Sequence, residues 1–506
     1  MSNKPQTLIA PDDEHNRKLV DNVHPLDWVN PEPARRYHLV VIGAGTAGLV
    51  SAAGAAGLGA KVALVERHLM GGDCLNVGCV PSKGVIAAAR AWHAARQPGD
   101  FGGPTASGPG DFGAAMARMR AVRAGISVND SAARFRDLGI DVFIGQGRFT
   151  SPNRIEVDGR KLDFRRAVIA TGGRAAAPPI PGLSEVNYLT NESIFSLASL
   201  PECFGIIGAG PIGSEMSQAF ARLGSRVSLF EMTDQVLPRE DPDAAAVVQE
   251  SMRADGVDLL LGVKVAKVEQ RGGEIVVYFE RNGERHERTF DQLLVAVGRA
   301  PNVENLGLEA AGIQYDRSGV LVDDRLRTTS SKVFACGDVA SALKFTHVAD
   351  AQARIVIQNA LFFGRARSSE LVVPWCTYTS PEVAHVGLYE QDARDLGYEV
   401  DTVQVPFSEV DRALLEGEDD GFLKIHLKKG SDKILGATMV APHAGDMIGE
   451  LCLAITAGVG LGKIATTIHP YPTRAEVIKK AADKWRRTKL TPTVKRLFEI
   501  WLRIFS

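Results

Sequence analysis

The chain has 506 residues, 45% of them hydrophobic and 23% charged, with 58 basic against 60 acidic side chains and a formal net charge of -2. This is the balance of an ordinary globular protein of about two to four domains; it excludes a largely disordered chain and carries no basic footprint for nucleic acid. Six cysteines are too few for a disulfide scaffold, so a reducing, cytoplasmic setting is expected, and no apolar run is long enough to predict a membrane span.

Residues 1–36 are polar and proline-punctuated, show little helical or strand periodicity, and read as an extension anchored by Trp28, with no stretch of signal-peptide type. From His38 the pattern changes. His38 to Ile42 predicts a strand, Gly43-Ala44-Gly45-Thr46-Ala47-Gly48 a G-x-G-x-x-G turn, and the alanine-rich segment to Leu58 a helix; a second strand from Lys61 to Val65 ends in Glu66. In such a unit Gly43 permits the tight turn, Gly45 lets backbone approach a pyrophosphate, and Gly48 lets the helix pack on the strand. The terminal acid accepts hydrogen bonds from ribose hydroxyls. A bound dinucleotide is expected.

Directly after it comes Gly71-Gly72-Asp73-Cys74-Leu75-Asn76-Val77-Gly78-Cys79-Val80-Pro81-Ser82-Lys83. Thiols this close can form a disulfide at little entropic cost, and one of them can be held as a thiolate by a cation or a helix N-terminus. The C-x4-C spacing alone also fits two ordinary core cysteines. Cys203, Cys336, Cys376 and Cys452 are too scattered to complete a zinc site, so no metal ligands are expected. The fingerprint immediately upstream favours a redox pair beside a cofactor. A helix from Gly84 to Ala95 follows. Pro-Gly-Asp-Phe-Gly then occurs at 98–102 and again at 109–113, as a surface loop. A charged helix over Phe112 to Leu138 comes next, Val142 to Phe149 opens a small sheet, and the strand Arg166 to Ala170 runs into the turn Thr171-Gly172-Gly173.

A second fingerprint, Gly208-Ala209-Gly210-Pro211-Ile212-Gly213, sits between Phe204-Gly205-Ile206-Ile207 and a helix to Leu223, and the strand Arg226 to Phe230 ends in Glu231. Two dinucleotides are therefore expected. An acid at Glu231 favours the free 2′-hydroxyl of NAD and repels a 2′-phosphate; the nearest arginine downstream is Arg239. Leu293 to Arg299 and Val333 to Asp338 are two further strand-to-glycine turns. The composition shifts at Leu371 to a final domain with a helix around Gly445 to Ala457 and the corner His469-Pro470-Tyr471-Pro472-Thr473-Arg474-Ala475-Glu476. Beyond Lys479 the chain is basic, and Leu497 to Phe505 is apolar between Lys495, Arg496 and Arg503. Such a segment suits an anionic membrane surface, or docks on its own protein or a partner subunit.

The two fingerprints with GGDCLNVGCVPSK between them resemble the flavoprotein disulfide reductases, which include dihydrolipoamide dehydrogenase, glutathione reductase and mercuric reductase, over about residues 38 to 485. The resemblance implies an α/β fold with two Rossmann-like domains, for FAD and for NAD(P), and an α+β C-terminal domain that forms a homodimer. Expected boundaries are an extension over 1–37, FAD domain 38–184, NAD(P) domain 185–304, FAD/central segment 305–370, dimerisation domain 371–485 and a basic tail 486–506. By the same resemblance Cys74 meets substrate and Cys79 stacks on the flavin as charge-transfer donor. Lys83 lies near flavin N5, paired with Glu215. Arg67, Gly72, Asp73, Gly147, Thr171, Gly172 and Asp338 join the FAD site, and Gly298 with Arg299 the nicotinamide nucleotide, with NADH expected as donor and NADPH as the alternative.

At the C-terminal corner the family's histidine, which shuttles protons to the thiols, aligns with Tyr471 ahead of Pro472, Thr473 and Glu476, with His469 two residues earlier. A phenol is a poor base at neutral pH. Tyrosine there is similar to the mercuric reductase pattern, although the C-terminal cysteine pair of those enzymes has no counterpart after Cys452. The expected activity is electron transfer from NAD(P)H through Cys74 and Cys79 to a thiophilic acceptor, a soft metal ion or a small disulfide. The alternatives are a dihydrolipoamide dehydrogenase-like reductase and, from another class, a redox-responsive flavin protein whose tail contacts a membrane or partner with little turnover.

Overall fold

The computed structural model describes residues 8–108 and 110–505, with Asp100 by its backbone alone. The first seven residues of the extension, the Pro109 that opens the second Pro-Gly-Asp-Phe-Gly, and the terminal Ser506 lie outside the described residues. Two compact units divide the chain. One comprises residues up to Gln97, Pro104–Phe230 and Val263–Leu371; the other comprises Pro98–Gly103, Glu231–Gly262 and the chain from Val372.

The first unit begins differently from the expected irregular extension. Glu14–Val23 is a helix, α1, whose N-terminus is capped by Asp13 accepting from the Asn16 amide at 2.8 Å. Leu19 and Val23, one turn apart, are wholly buried, and the Trp28 indole donates to the Val142 carbonyl at 3.1 Å. So short an apolar stripe among polar residues gives little periodic signal.

Then follow β1 (Tyr37–Ile42), α2 (Thr46–Gly57), β2 (Val62–Glu66), α3 (Gly72–Asn76) and α4 (Cys79–Arg96). Next come α5 (Phe112–Ile126), α6 (Ala132–Asp137), β3 (Asp141–Ile144), β4 (Arg148–Ser151), β5 (Arg154–Val157), β6 (Arg160–Ile169) and β7 (Gly173–Ala175). The parallel sheet runs β3-β2-β1-β6, with Val333–Ala335 on the far side of β6. Its strands are near-continuous apolar runs because both faces are covered; Leu39, Val41, Val62 and Leu64 are fully buried. Ile42 pairs with Ile169, which also pairs with Ala335, so the three strands end level. The first half of β6 turns away into an antiparallel β4-β5-β6 sheet. The expected helix over Phe112 to Leu138 is broken after Ile126, and the Ser131 hydroxyl accepts from the Arg134 amide at 3.2 Å to start α6 afresh. The small sheet expected to open at Val142 begins instead at Arg148, since Asp141–Ile144 joins the parallel sheet beside β2.

The second fingerprint builds β8 (Cys203–Ile207), α7 (Pro211–Leu223) and β9 (Arg226–Phe230), with Gln292–Val295 on the other side of β8, all parallel. The ring cluster Phe230, Phe279 and Phe290 packs edge to face beneath it. The second unit is centred on an antiparallel sheet ordered Pro374–Thr377, Glu382–Gly387, Ile434–Ala441, Phe422–Lys428, Val400–Pro406. Helices Ala444–Thr456 and Glu476–Thr488 cover one side of its core. No helix among the described residues is long and apolar enough to cross a membrane. The fold class is α/β, with two Rossmann-like units and an α+β C-terminal domain.

Candidate active site

Both fingerprints make the same nucleotide cradle. In the second, Gly208 has φ +99° and a Cβ there would lie 2.7 Å from the Ala296 carbonyl oxygen; a Cβ on Gly213 would lie 1.8 Å from the Gly208 oxygen. These two glycines are required by the protein's own packing. Gly210 is not: its φ is -67°, a Cβ would meet no described atom within 4 Å, and no described side chain caps α7 there. The amides at the start of α7 are thus left open for a phosphate, as they are at Gly45, where a Cβ would find only the Gly72 Cα, at 3.7 Å. An alanine at each position separates the two roles. Gly210→Ala is expected to melt like wild type and to raise KM for NADH about tenfold, ~1.4 kcal/mol of nucleotide binding. Gly213→Ala loses about 1–3 kcal/mol of stability by overpacking. Thermal melts beside NADH saturation curves check both; a Gly210→Ala enzyme with unchanged KM refutes the phosphate role.

Glu66 closes the first cradle. Its Oε2 accepts from the Ala44 amide at 2.7 Å and its Oε1 from the His68 amide at 2.8 Å, while burial pushes the carboxyl up from its ordinary range. With Gly43, Arg67, Gly147 and Thr171 it lines a cleft, and a carboxylate there has lone pairs left to accept from hydroxyls. Thr171 Oγ1 donates to the Asn302 carbonyl at 2.7 Å, and Asn302 Nδ2 donates back to the Thr171 carbonyl at 2.9 Å, fixing the turn at Gly172. Arg299 pairs with Asp73, donates to the Gly173 carbonyl at 2.9 Å, and lies 3.6 Å from the Asp338 carboxylate. It is held there because Arg299–Pro301 pairs antiparallel with β7. Burial raises the Asp338 pKa. Gly298, at φ +141°, accepts from the Ala176 amide through its carbonyl at 3.0 Å.

The redox stretch folds as two helix starts. Cys74 lies in α3, and Cys79 is the first residue of α4, five residues earlier than the expected start at Gly84. Pro81 is tolerated because a first-turn amide has no carbonyl to bond. Both are free thiols. The adjoining Cys74 thiol, then Thr346 and the Lys83 ammonium, outweigh burial and the nearby Glu215 to bring the Cys79 thiol down to about 6. The helix N-terminus adds its own field in the same direction. The adjoining Cys79, then burial, pushes the Cys74 thiol up. Thr346 Oγ1 lies 3.5 Å from Cys79 Sγ, at the start of the helix Thr346–Leu361. Lys83, one turn after Cys79, donates to Glu215 of α7 at 2.8 Å, and the Glu215 side chain is only 6% exposed.

The residues predicted at the C-terminal corner belong to the second unit. Tyr471 is 67% exposed and donates to Asp411 at 2.9 Å, a bond that raises the phenol's pKa further. The His469 side chain is only 6% exposed, with Nε2 2.9 Å from Glu450. Glu476 stands in the first turn of its helix, 3.8 Å from Lys480. Glu231 accepts from the Met232 amide at 2.7 Å and the Thr233 amide at 3.1 Å.

Three residues with no recognisable sequence signal brace the redox loop. Arg123 of α5 is 1% exposed; it donates to the Asn76 carbonyl at 2.6 Å and to Asn16 Oδ1 of α1 at 2.7 Å. Asn76 in turn donates to the Met70 and Gly72 carbonyls at 3.0 and 2.9 Å. Burial lowers the guanidinium to about 10, so it stays charged at neutral pH. Only the distant periodicity of α5 could have pointed to Arg123, on its buried face.

Residues 37–353 match the family described as pyridine nucleotide-disulphide oxidoreductase, and residues 373–482 match that family's dimerisation domain. Mercuric reductase of Bacillus cereus is 36% identical over 454 residues, covering 90% of this chain and 72% of that protein. Dihydrolipoyl dehydrogenase of Bacillus subtilis (strain 168) is 33% identical over 466 residues, covering 89% and 98%. Among solved structures, the HOCl-induced flavoprotein disulfide reductase RclA from Escherichia coli aligns with a TM-score of 0.79 at 29% identity, over 88% of this chain and 99% of that one. The Cu(II) complex of the same protein aligns with the same score over 87% and 98%.

Proposed function

The chain belongs to the pyridine nucleotide-disulphide oxidoreductases, and from that premise we propose that it carries electron pairs from NADH through Cys74 and Cys79 to a soft, thiophilic metal ion. The family is FAD-dependent with NAD(P)H as donor, and the cradle at Gly43, Gly45, Gly48 and Glu66 fits FAD. Bound there, FAD supplies two-electron exchange between the nicotinamide hydride and the cysteine pair.

The observation that carries the reading is the placement of Cys79 at the N-terminus of α4, with Thr346 Oγ1 3.5 Å from its sulfur and Lys83, held by Glu215, one turn further on; together they favour the thiolate at Cys79 and leave the proton on Cys74. Each NADH oxidised passes two electrons and one proton to the disulfide, giving a Cys74 thiol and a Cys79 thiolate; closing the pair again releases two electrons and one proton to an acceptor. A small disulfide needs that proton delivered to its leaving thiolate and takes a second from water. Tyr471, already donating to Asp411, is poorly suited to deliver it. A soft cation needs no such delivery, because two thiolates simply coordinate it as the one proton goes to water. The Cu(II) complex of the Escherichia coli neighbour and the mercuric reductases among the relatives favour the same class of acceptor. Glu231 at the end of β9 supports NADH over NADPH, since its carboxylate suits a free 2′-hydroxyl.

The test is stopped-flow reoxidation of NADH-reduced holoenzyme by Hg(II), Cu(II), oxidised glutathione, lipoamide and quinones. Fast reoxidation by a metal ion, with slow reoxidation by both disulfides, is the expected result. Reoxidation fastest with lipoamide would move the assignment to a dihydrolipoamide dehydrogenase-like reductase, and reoxidation by quinones alone would remove the dithiol from the electron path.

A further inference from the structure

The chain ends in a helix, Pro492–Ile504, none of whose residues is buried. Thr491 caps it by accepting from the Val494 amide at 3.3 Å, so it is a built helix with a defined start. At about 100° per residue, Val494, Leu497, Phe498, Trp501 and Ile504 share one face, while Lys495, Arg496 and Arg503 share the other. Trp501 is 60% exposed and Ile504 69%. A helix of this length is marginal in water by itself, and so wide an apolar face needs a covering surface.

Charge decides what covers it. Arg486, Arg487, Lys489, Lys495, Arg496 and Arg503 stand against the single acid Glu499, in a chain whose net charge is -2. A second copy of the same helix would bring like charges together. The family's dimerisation domain ends at residue 482, before this helix starts. We infer that the helix lies in the plane of an anionic lipid bilayer, with Trp501, Phe498 and Leu497 in the acyl boundary and the basic residues among phosphate headgroups, holding the enzyme as a peripheral membrane protein.

The experiment is co-sedimentation of the holoenzyme with phosphatidylcholine vesicles, with and without phosphatidylglycerol, at low and high salt. The full chain is expected to pellet with anionic vesicles only and to be released by salt. Lys495→Gln and Arg496→Gln each weaken binding about fivefold. Trp501→Asp, or truncation after Lys489, abolishes it with NADH turnover unchanged. Failure of the full chain to bind anionic vesicles, or equal binding by the truncated chain, overturns the inference. So does conversion of the truncated enzyme to monomers in light scattering, which would assign the face to a second copy. Salt-resistant binding to neutral vesicles would remove the role given to the basic residues.

Discussion

Replacing Cys79 with serine is expected to lower NADH-dependent reduction of a thiophilic acceptor by about a thousandfold or more, because a hydroxyl at the start of α4 holds no anion at neutral pH and cannot close a disulfide with Cys74. Cys74→Ser should fall as far, for lack of the partner sulfur. The pH dependence separates the contributions. Cys79 is thiolate above about 6 in the dithiol enzyme, so the charge is present at neutral pH and is lost as pH falls through that value. Turnover should therefore show an acid limb near the same point. Removing the largest cause, in Cys74→Ala, raises the midpoint most; Lys83→Ala raises it less; Glu215→Gln lowers it, since that carboxylate opposes the thiolate. Ultraviolet difference absorbance of the thiolate in the reduced holoenzyme reads the wild type and all three variants. A midpoint that moves the same way in Lys83→Ala and Glu215→Gln would contradict the charge assignment.

Arg123→Met is expected to cost about 2–5 kcal/mol, because it leaves Asn16 Oδ1 and the Asn76 carbonyl buried without the donors they now have. Arg123→Lys recovers only part, since an ammonium lacks the guanidinium fork that reaches both acceptors. The effect should not stop at stability. Asn76 stands between the two cysteines, so the variant should also shift the Cys79 midpoint and raise the acceptor's KM, whereas a merely structural loss lowers the melting temperature alone. Deleting the chain through Val23 should act in the same direction, because it removes Asn16 and the Val23 carbonyl that accepts from the Met70 amide at 3.1 Å. A variant that melts and turns over like wild type would show that the brace has no bearing on the loop.

The parts that were legible before the structure are those where local chemistry is repeated and unambiguous. Apolar runs that end in a glycine turn mark β1 and β8, and runs that end in an acid mark β2 and β9, because parallel strands buried on both faces read as continuous hydrophobic text. The first and last glycines of each fingerprint, Gly43 and Gly48, Gly208 and Gly213, are enforced by backbone oxygens within 3 Å of where a Cβ would sit. What was not legible rests on polar contacts across long separations. Helix α1 has only a thin apolar stripe and is tied in by Asn16 to a residue 107 positions away. The α5–α6 break hangs on one serine hydroxyl, and Thr346 reaches Cys79 across 267 positions. At the C-terminal corner the pattern names Tyr471 and Glu476, but only coordinates reveal that Asp411 engages the first and Glu450 engages His469. Buried ionic and amide partnerships of this kind have no periodicity for a sequence to show.

Cys79 and Lys83 sit one turn apart on a single helix, and Lys83 is anchored to a second helix through Glu215. The spacing between sulfur and ammonium is therefore a matter of helical pitch, indifferent to how the loops elsewhere are rebuilt. A lineage carrying this turn can exchange one oxidant for another without renegotiating the chemistry that delivers the electrons. The chain stands about as near to the mercuric reductase of Bacillus cereus, at 36% identity, as to the dihydrolipoyl dehydrogenase of Bacillus subtilis, at 33%, and a donor end set by helical pitch suits either acceptor.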